Sequence, residues 1–233
     1  MPLVESSDRD GIRVLALVRP PVNAIDLTLV RAIGDALLEA AGARSCRGVV
    51  LTGGDEIFSA GIDVKTVPHY DAATRREMVR AINRTILALY RLEKPTVAAI
   101  GGHALGGGLV LALACDFRFA AAGRYQLGLT EVTAGIPFPA GPMTVVLAEL
   151  DHSVARSLVL SGQVFEPTAP SAAGFLDELV EPGRLRDAAV ARAASLAAAP
   201  AYAVVKRQLK AEAVRRLERI VTEDDDPLLG TWP

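Results

Sequence analysis

The 233-residue sequence lacks the cysteine pattern of a secreted or zinc-binding protein. It has two cysteines, Cys46 and Cys115, which lie in apolar surroundings and do not have the spacing of metal ligands. A disulfide framework or a zinc site is therefore not expected, and both residues are predicted to be buried free thiols. No other pattern in the sequence calls for a metal.

Strong charge and long apolar runs are also missing. The net charge is −2 and no Lys/Arg cluster falls on one predicted face, so we expect no nucleic-acid partner. The N-terminus is acidic and interrupted by charges, unlike a signal peptide, and no window approaches 18 uninterrupted apolar residues. These absences predict a cytoplasmic protein without a membrane partner.

Aromatic residues are scarce, at 5% against 51% hydrophobic residues, which predicts a large aliphatic core. No fixed-period repeat or low-complexity linker divides the chain. We predict one domain, with a core over residues 1–180 and a helical C-terminal region over residues 181–233.

The first third of the chain has the pattern of a βαβ crossover. Residues 12–18 alternate and then run apolar, as in a strand, and a helix follows from a cap at Asp26 to an exit at Gly42. A second strand is expected at residues 48–52. The sequence therefore predicts a mixed α/β fold.

A strand, a glycine loop and a helix occur in this order twice. The first loop is Phe58-Ser59-Ala60-Gly61-Ile62-Asp63, before a helix over residues 71–92. The second is Gly106-Gly107-Gly108, between a strand at residues 97–100 and about two apolar helical turns. Glycine lets a ligand oxygen approach the unpaired N–H groups at a helix start. An oxyanion hole fits better than a phosphate loop, since the Lys-Ser/Thr of a P-loop is missing. The alternative is a plain glycine turn that allows close helix packing.

Glu131 is the candidate acid or base. Leu127, Leu129, Val132 and Ile136 surround it in the sequence, and such burial would raise its pKa toward neutrality. The alternative is a glutamate in the first turn of a helix that faces solvent.

The C-terminal region is predicted to form two helices rich in alanine and arginine, at residues 185–198 and 201–221, that pack on a partner subunit. The tail from Asp224 onward has the composition of a frayed terminus, and the sequence assigns no role to Trp232.

Several of these motifs together resemble the crotonase family, the enoyl-CoA hydratase/isomerase superfamily. The resemblance covers roughly residues 14–206. It rests on Pro21-Val22-Asn23-Ala24, the loop at residues 58–63, Lys94-Pro95, His103-Ala104-Leu105-Gly106-Gly107-Gly108 and Cys115-Asp116. It implies a spiral of ββα units, a homotrimer or dimer of trimers that uses the C-terminal region for trimerisation, and an acyl-CoA thioester as substrate, with no separate cofactor.

The resemblance also implies roles for individual residues. The N–H groups of Ile62 and Gly107 would form the oxyanion hole, and Glu131 would be the catalytic base. Asp63 and Asp116 are expected to be structural hydrogen-bond acceptors. The residues expected to contact substrate are Ala60, Gly61, Gly106, Gly108 and Val110, with Lys65 and Lys206 near the CoA phosphates.

One departure from the family pattern favours one of the family's reactions over another. Hydratases of this family carry a glutamate where this chain has Val110, and they divide water addition between two carboxylates. Moving a double bond from the 3,4 to the 2,3 position needs one base, so Glu131 alone predicts an isomerase. Residues 124–131 also resemble the Δ3,Δ2-enoyl-CoA isomerases. The alternatives are a hydratase that uses Glu131 alone, an acyl-CoA hydrolase, and a CoA-thioester-binding protein without turnover.

Overall fold

The computed structural model describes residues 2–232, which form ten β-strands and eight α-helices. The strands are β1 (Val4–Arg9), β2 (Ile12–Leu17), β3 (Gly48–Thr52), β4 (Ile57–Ser59), β5 (Thr96–Ile100), β6 (His103–Leu105), β7 (Phe117–Ala121), β8 (Leu127–Gly128), β9 (Val164–Phe165) and β10 (Glu178–Val180). The helices are α1 (Leu27–Gly42), α2 (Ala72–Tyr90), α3 (Gly107–Ala114), α4 (Glu131–Ala134), α5 (Ala140–Glu149), α6 (His152–Ser161), α7 (Leu185–Ala197) and α8 (Tyr202–Glu223). Within this part of the chain, no single helix has the length and hydropathy needed to cross a membrane.

The strands form two sheets. The larger has the order β1-β2-β3-β5-β7-β10 and is parallel except at β1–β2, and the smaller has the order β4-β6-β8-β9. In β3-β4-α2, β5-β6-α3 and β7-β8-α4, the first strand joins the larger sheet and the second joins the smaller sheet. This repeated ββα arrangement confirms the predicted spiral.

The predicted crossover is present as β2-α1-β3, since β2 and β3 pair in parallel. Asp26 caps α1 as expected, because its carboxylate accepts a hydrogen bond from the backbone N–H of Leu29 at 2.8 Å. The helix ends at Gly42, also as expected.

The centre of the larger sheet is covered on both faces, which explains why β3 and β5 are fully buried and carry no charged residue. In β3, Val49 and Leu51 belong to the main core, whereas Val50 belongs to a second core on the other face. That second core contains Ala189 and Ala193 of α7. This face of α7 is thus used within the chain rather than on a partner subunit.

Helix α8 lies against α2 and α5 and buries Leu217 and Ile220. Its other side leaves Val204, Val205 and Leu209 exposed. Assembly into trimers remains a prediction.

The expectation of a frayed tail is wrong. The carboxylate of Asp226 is buried and accepts hydrogen bonds from the side chain of Asn83 and from the backbone N–H of Ala140, both at 2.8 Å. Trp232 is 3% exposed, and its indole N–H donates to the carbonyl of Pro137 at 2.9 Å. The acidic residue caps the start of α5 and the indole fills an apolar gap, so the tail is held in place.

Candidate active site

An apolar cavity of about 40 Å³ lies between α1, α2, α3 and the segment that leads into α5. Among the described residues, its only ionisable lining side chain is Glu131. The other lining residues are Ile25, Val30, Ile33, Ile62, Ile82, Thr85, Ile86, Gly107, Val110, Leu111, Ile136, Pro137, Phe138, Pro139, Pro142 and Trp232.

The first glycine turn leaves one backbone donor without an acceptor. The N–H of Gly61 donates to the hydroxyl of Ser59 at 3.1 Å, and the N–H of Asp63 donates to the carbonyl of Ile25 at 2.9 Å. Between them, the N–H of Ile62 has no hydrogen-bond acceptor in the described part of the chain. Gly61 has φ +80°, a left-handed conformation that disfavours a side chain and turns the chain at this point.

Polar contacts hold the first turn in place. The carboxylate of Asp63 accepts hydrogen bonds from Arg19 at 2.9 Å and from the backbone N–H groups of Lys65 and Thr66. Burial acts to raise the pKa of Asp63, but these bonds outweigh it and the pKa is lowered. Arg19 also forms an ion pair with Asp26 at 3.0 Å. The expected structural role of Asp63 is confirmed.

The second glycine turn leaves another donor free. The N–H of Gly106 donates to the carbonyl of Gly128 at 2.8 Å, but the N–H of Gly107 begins α3 and has no acceptor among residues 2–232. A Cβ placed on Gly61 would lie 3.1 Å from the nitrogen of Gly107, so the two turns touch. Ile62 and Gly107, which carry the free N–H groups, both line the cavity.

Glu131 begins α4 and lies beside the second turn. Its side chain is buried, and Oε2 has no hydrogen-bond partner in the described structure. Burial raises the pKa of Glu131 to about 7, opposed in part by its own backbone N–H. A Cβ on Gly106 would lie 3.3 Å from Oε1, so the carboxylate lies directly against this turn. The solvent-facing alternative for Glu131 is wrong.

Some of the other residues expected to contact substrate line the cavity, and others do not. Val110 is 1% exposed and lines the cavity. Ala60 is half-buried beside Gly61 but is not part of the lining. Gly108 faces β4, where an added Cβ would lie 2.4 Å from the carbonyl oxygen of Ser59. This glycine is therefore needed for close packing of α3 on β4, and its contact with substrate stays a prediction.

The two lysines expected near the CoA phosphates also lie in different surroundings. Lys65 is exposed just past the first turn, and its contact with a CoA phosphate remains a prediction. Lys206 is 7% exposed and its ammonium lies 2.6 Å from the carboxylate of Asp116. Asp116 follows the C-terminal end of α3, away from Gly107 at its start. This buried ion pair gives Lys206 a structural role, and its contact with a CoA phosphate stays a prediction.

Two parts of the cavity wall were not found from the sequence. Trp232 and the segment 136–139 line it, although neither carries a local motif for a site. The only available signal was one bulky aromatic residue, Trp232, together with Leu228 and Leu229 after an acidic run. In the same described residues, no group of three or more His, Cys, Asp or Glu side chains could hold a metal ion.

Comparisons of the sequence and of the structure with known proteins agree on one family. A family model described as enoyl-CoA hydratase/isomerase matches residues 7–229. A probable enoyl-CoA hydratase of Mycobacterium avium is 36% identical over 219 residues, covering 93% of this chain and 84% of the relative. The human mitochondrial enoyl-CoA delta isomerase 1 is 30% identical over 227 residues, covering 96% and 74%. The crystal structure of human mitochondrial delta3-delta2-enoyl-CoA isomerase has a TM-score of 0.88 at 28% identity, covering 96% of this chain and 88% of that one.

Proposed function

Since the chain belongs to the enoyl-CoA hydratase/isomerase family, we propose that it moves the double bond of a 3-enoyl-CoA thioester to the 2,3 position. The observation that carries the proposal is that Glu131 is the single carboxylate among the described residues that line the cavity. Glu131 is buried beside two free backbone N–H groups, and Val110 occupies the position where a hydratase would have a second glutamate.

In this proposal Glu131 acts as a proton shuttle. Its carboxylate takes a proton from carbon 2, and the electrons of that C–H bond move toward the thioester to form a dienolate. The carbonyl then re-forms, a double bond appears between carbons 2 and 3, and the electrons of the former 3,4 double bond take the proton at carbon 4. A pKa of about 7 suits both steps, because the group gives up and accepts a proton readily near neutral pH.

The oxyanion of the dienolate would bind the N–H groups of Ile62 and Gly107. These donors are held by the fold before the reaction, so they stabilise the developing charge without reorganising. Removal of one such donor in other enzymes costs about 3 kcal/mol of transition-state stabilisation. Two donors would therefore account for a large part of the rate enhancement.

The apolar lining supports isomerisation over hydration. Water addition needs one group to activate a water and another to deliver a proton. The side chains of Val110 and Leu111 are aliphatic and cannot activate a water, and Glu131 is the only ionisable lining group in the described residues.

A second candidate is hydration of 2-enoyl-CoA by Glu131 alone. It is favoured by the similarity to the Mycobacterium avium protein, which is named a probable enoyl-CoA hydratase. This candidate uses the same N–H groups and the same carboxylate, so only the products distinguish it.

The test is product analysis with the purified protein. It is incubated separately with 3-enoyl-CoA, 2-enoyl-CoA and saturated acyl-CoA, and 2-enoyl-CoA, 3-hydroxyacyl-CoA and free CoA are measured by mass spectrometry. We expect isomerisation to exceed hydration by about 100-fold or more, the low end of what a second acid–base group contributes. Hydration at an equal rate would replace the isomerase proposal, and release of free CoA would indicate a hydrolase.

A further inference from the structure

The C-terminal tail, defined as residues 224–232, forms part of the cavity wall. Trp232 lines the cavity and is 3% exposed. Its indole N–H donates to the carbonyl of Pro137, which belongs to the same wall. The wall made by the tail is distinct from the one made by the two glycine turns, which carry Ile62 and Gly107.

Several contacts hold the tail against the body of the protein. The carboxylate of Asp226 accepts hydrogen bonds from Asn83 on α2 and from Ala140 at the start of α5. Arg80 on α2 binds Asp224 through two hydrogen bonds, at 2.6 and 3.0 Å. These bonds fix the backbone that carries Trp232, so the indole is a fixed part of the wall.

The space left inside is small. A cavity needs roughly 10–15 Å³ of this kind of volume for one water molecule. At about 40 Å³, the cavity holds about three water-sized groups. This volume matches a short acyl chain beside Glu131, and a longer apolar chain would need further space, such as the space that the buried indole of Trp232 occupies.

We infer that Trp232 determines acyl-chain length, limiting the cavity to short-chain acyl-CoA thioesters. This inference rests on the proposed function only in taking an acyl-CoA as the ligand. It adds a specificity-determining residue that contacts the acyl chain and takes no part in the proton transfer.

The test measures binding rather than turnover. Dissociation constants are determined by calorimetry for the saturated thioesters butanoyl-, hexanoyl-, octanoyl- and decanoyl-CoA, with the intact protein and with Trp232→Phe, Trp232→Leu and Trp232→Ala. Phenylalanine keeps most of the ring volume and loses the indole N–H, so it separates volume from the hydrogen bond. The graded series also provides a smaller change if the alanine variant does not fold.

We expect the intact protein to bind butanoyl-CoA more tightly than decanoyl-CoA. Each methylene that becomes buried raises affinity about fourfold, so Trp232→Ala or Trp232→Leu should improve decanoyl-CoA binding by tenfold or more. The phenylalanine variant should stay close to the original preference. An unchanged ratio of butanoyl to decanoyl affinities in folded variants, or an intact protein that prefers decanoyl-CoA, would overturn the inference.

The two proposals fail separately. Length-dependent binding without isomerisation would leave the role of Trp232 in place and remove the isomerase proposal. If the protein isomerises 3-enoyl-CoA but the Trp232 variants do not alter its length preference, the isomerase proposal stands and the role of Trp232 is removed.

Discussion

Two buried carboxylates lie near the opposite ends of α3 and behave in opposite ways. Glu131 lies against the glycine turn at the start of the helix, and Oε2 has no hydrogen-bond partner in the described residues. Asp116 follows the end of the helix and lies 2.6 Å from the ammonium of Lys206 and 2.9 Å from that of Lys210. The two carboxylates are buried to a similar degree, so the difference between them comes from their neighbours.

The neighbouring charges explain the pKa values of the two carboxylates. Burial raises the pKa of Glu131 to about 7, because no cation compensates for the lost hydration. Burial acts on Asp116 in the same direction, but the charges of Lys206 and Lys210 outweigh it and lower its pKa. A buried carboxylate is therefore suited to proton transfer only when counter-charges are absent, and a paired one serves the structure.

The largest expected effect comes from removing the unpaired carboxylate. Glu131→Gln keeps the shape of the side chain and loses the base, so we expect kcat to fall by about 1000-fold, within the range for general base catalysis. Steady-state isomerase assays measure the loss, and acyl-CoA binding should stay within a few-fold. Glu5→Gln, a change at an exposed glutamate of β1, is the matched control. Turnover that survives Glu131→Gln would remove Glu131 from the mechanism.

Asp116→Asn should instead affect stability. It leaves the buried ammonium of Lys206 without its carboxylate and Lys210 with only the carboxylate of Glu149 at 3.7 Å, so the free energy of unfolding should fall by about 3–5 kcal/mol. Urea denaturation measures this change, and kcat per folded molecule should stay unchanged because Asp116 is away from the cavity.

Lys210→Met in the Asp116→Asn background should restore part of the lost stability, since one of the two buried ammonium groups that lost Asp116 as a counter-charge is then removed. A loss below about 1 kcal/mol in the single variant would mean that the ion pairs contribute no more than surface pairs do.

The pH dependence of stability gives a smaller effect. The folded state holds a proton on Glu131 up to about pH 7, whereas an unfolded glutamate loses it above about pH 4.5. The unfolded state therefore binds fewer protons in this window, and the contribution of Glu131 to stability falls as the pH rises through it. Over this window the contribution of Glu131 lowers the free energy of unfolding by about 3 kcal/mol in total, because one pKa unit corresponds to about 1.36 kcal/mol.

Chemical denaturation of the intact protein and of Glu131→Gln across pH 4 to 8 isolates this contribution. The variant should gain stability relative to the intact protein from about pH 4.5 to about pH 7, then keep a constant advantage. Parallel curves for the two proteins would mean that Glu131 has an ordinary pKa.

The smallest expected effect is a gain of hydratase activity, the addition of water to 2-enoyl-CoA, in Val110→Glu. The new carboxylate would lie one helical turn past Gly107 and could share a water with Glu131. Two like charges in an apolar cavity raise at least one pKa, so the gain should be small and pH-dependent. Mass-spectrometric detection of 3-hydroxyacyl-CoA from 2-enoyl-CoA measures it. An intact protein that hydrates as fast as the variant would contradict the reasoning from Val110.

The first crossover and the two glycine turns were predictable because their signals are local, whereas the spiral as a whole was expected from the family resemblance. The cap at Asp26, the alternation in β2 and the glycines at positions 61 and 106–108 depend on backbone sterics and on hydrogen bonds between near neighbours. Seven of the described strands were not predicted, namely β1, β4, β6, β7, β8, β9 and β10. Five of these have only two or three residues, too few for a periodic pattern.

The properties of the site depend on contacts between distant parts of the chain. The family resemblance implied that residues 62, 107 and 131 belong to one site. The sequence could not indicate that Lys206 pairs with Asp116, 90 residues away, or that the tail closes the cavity with Trp232. Hydration, counter-charge and cavity volume are set by whatever packs around a group after folding, so they arise from tertiary contacts that no local pattern encodes.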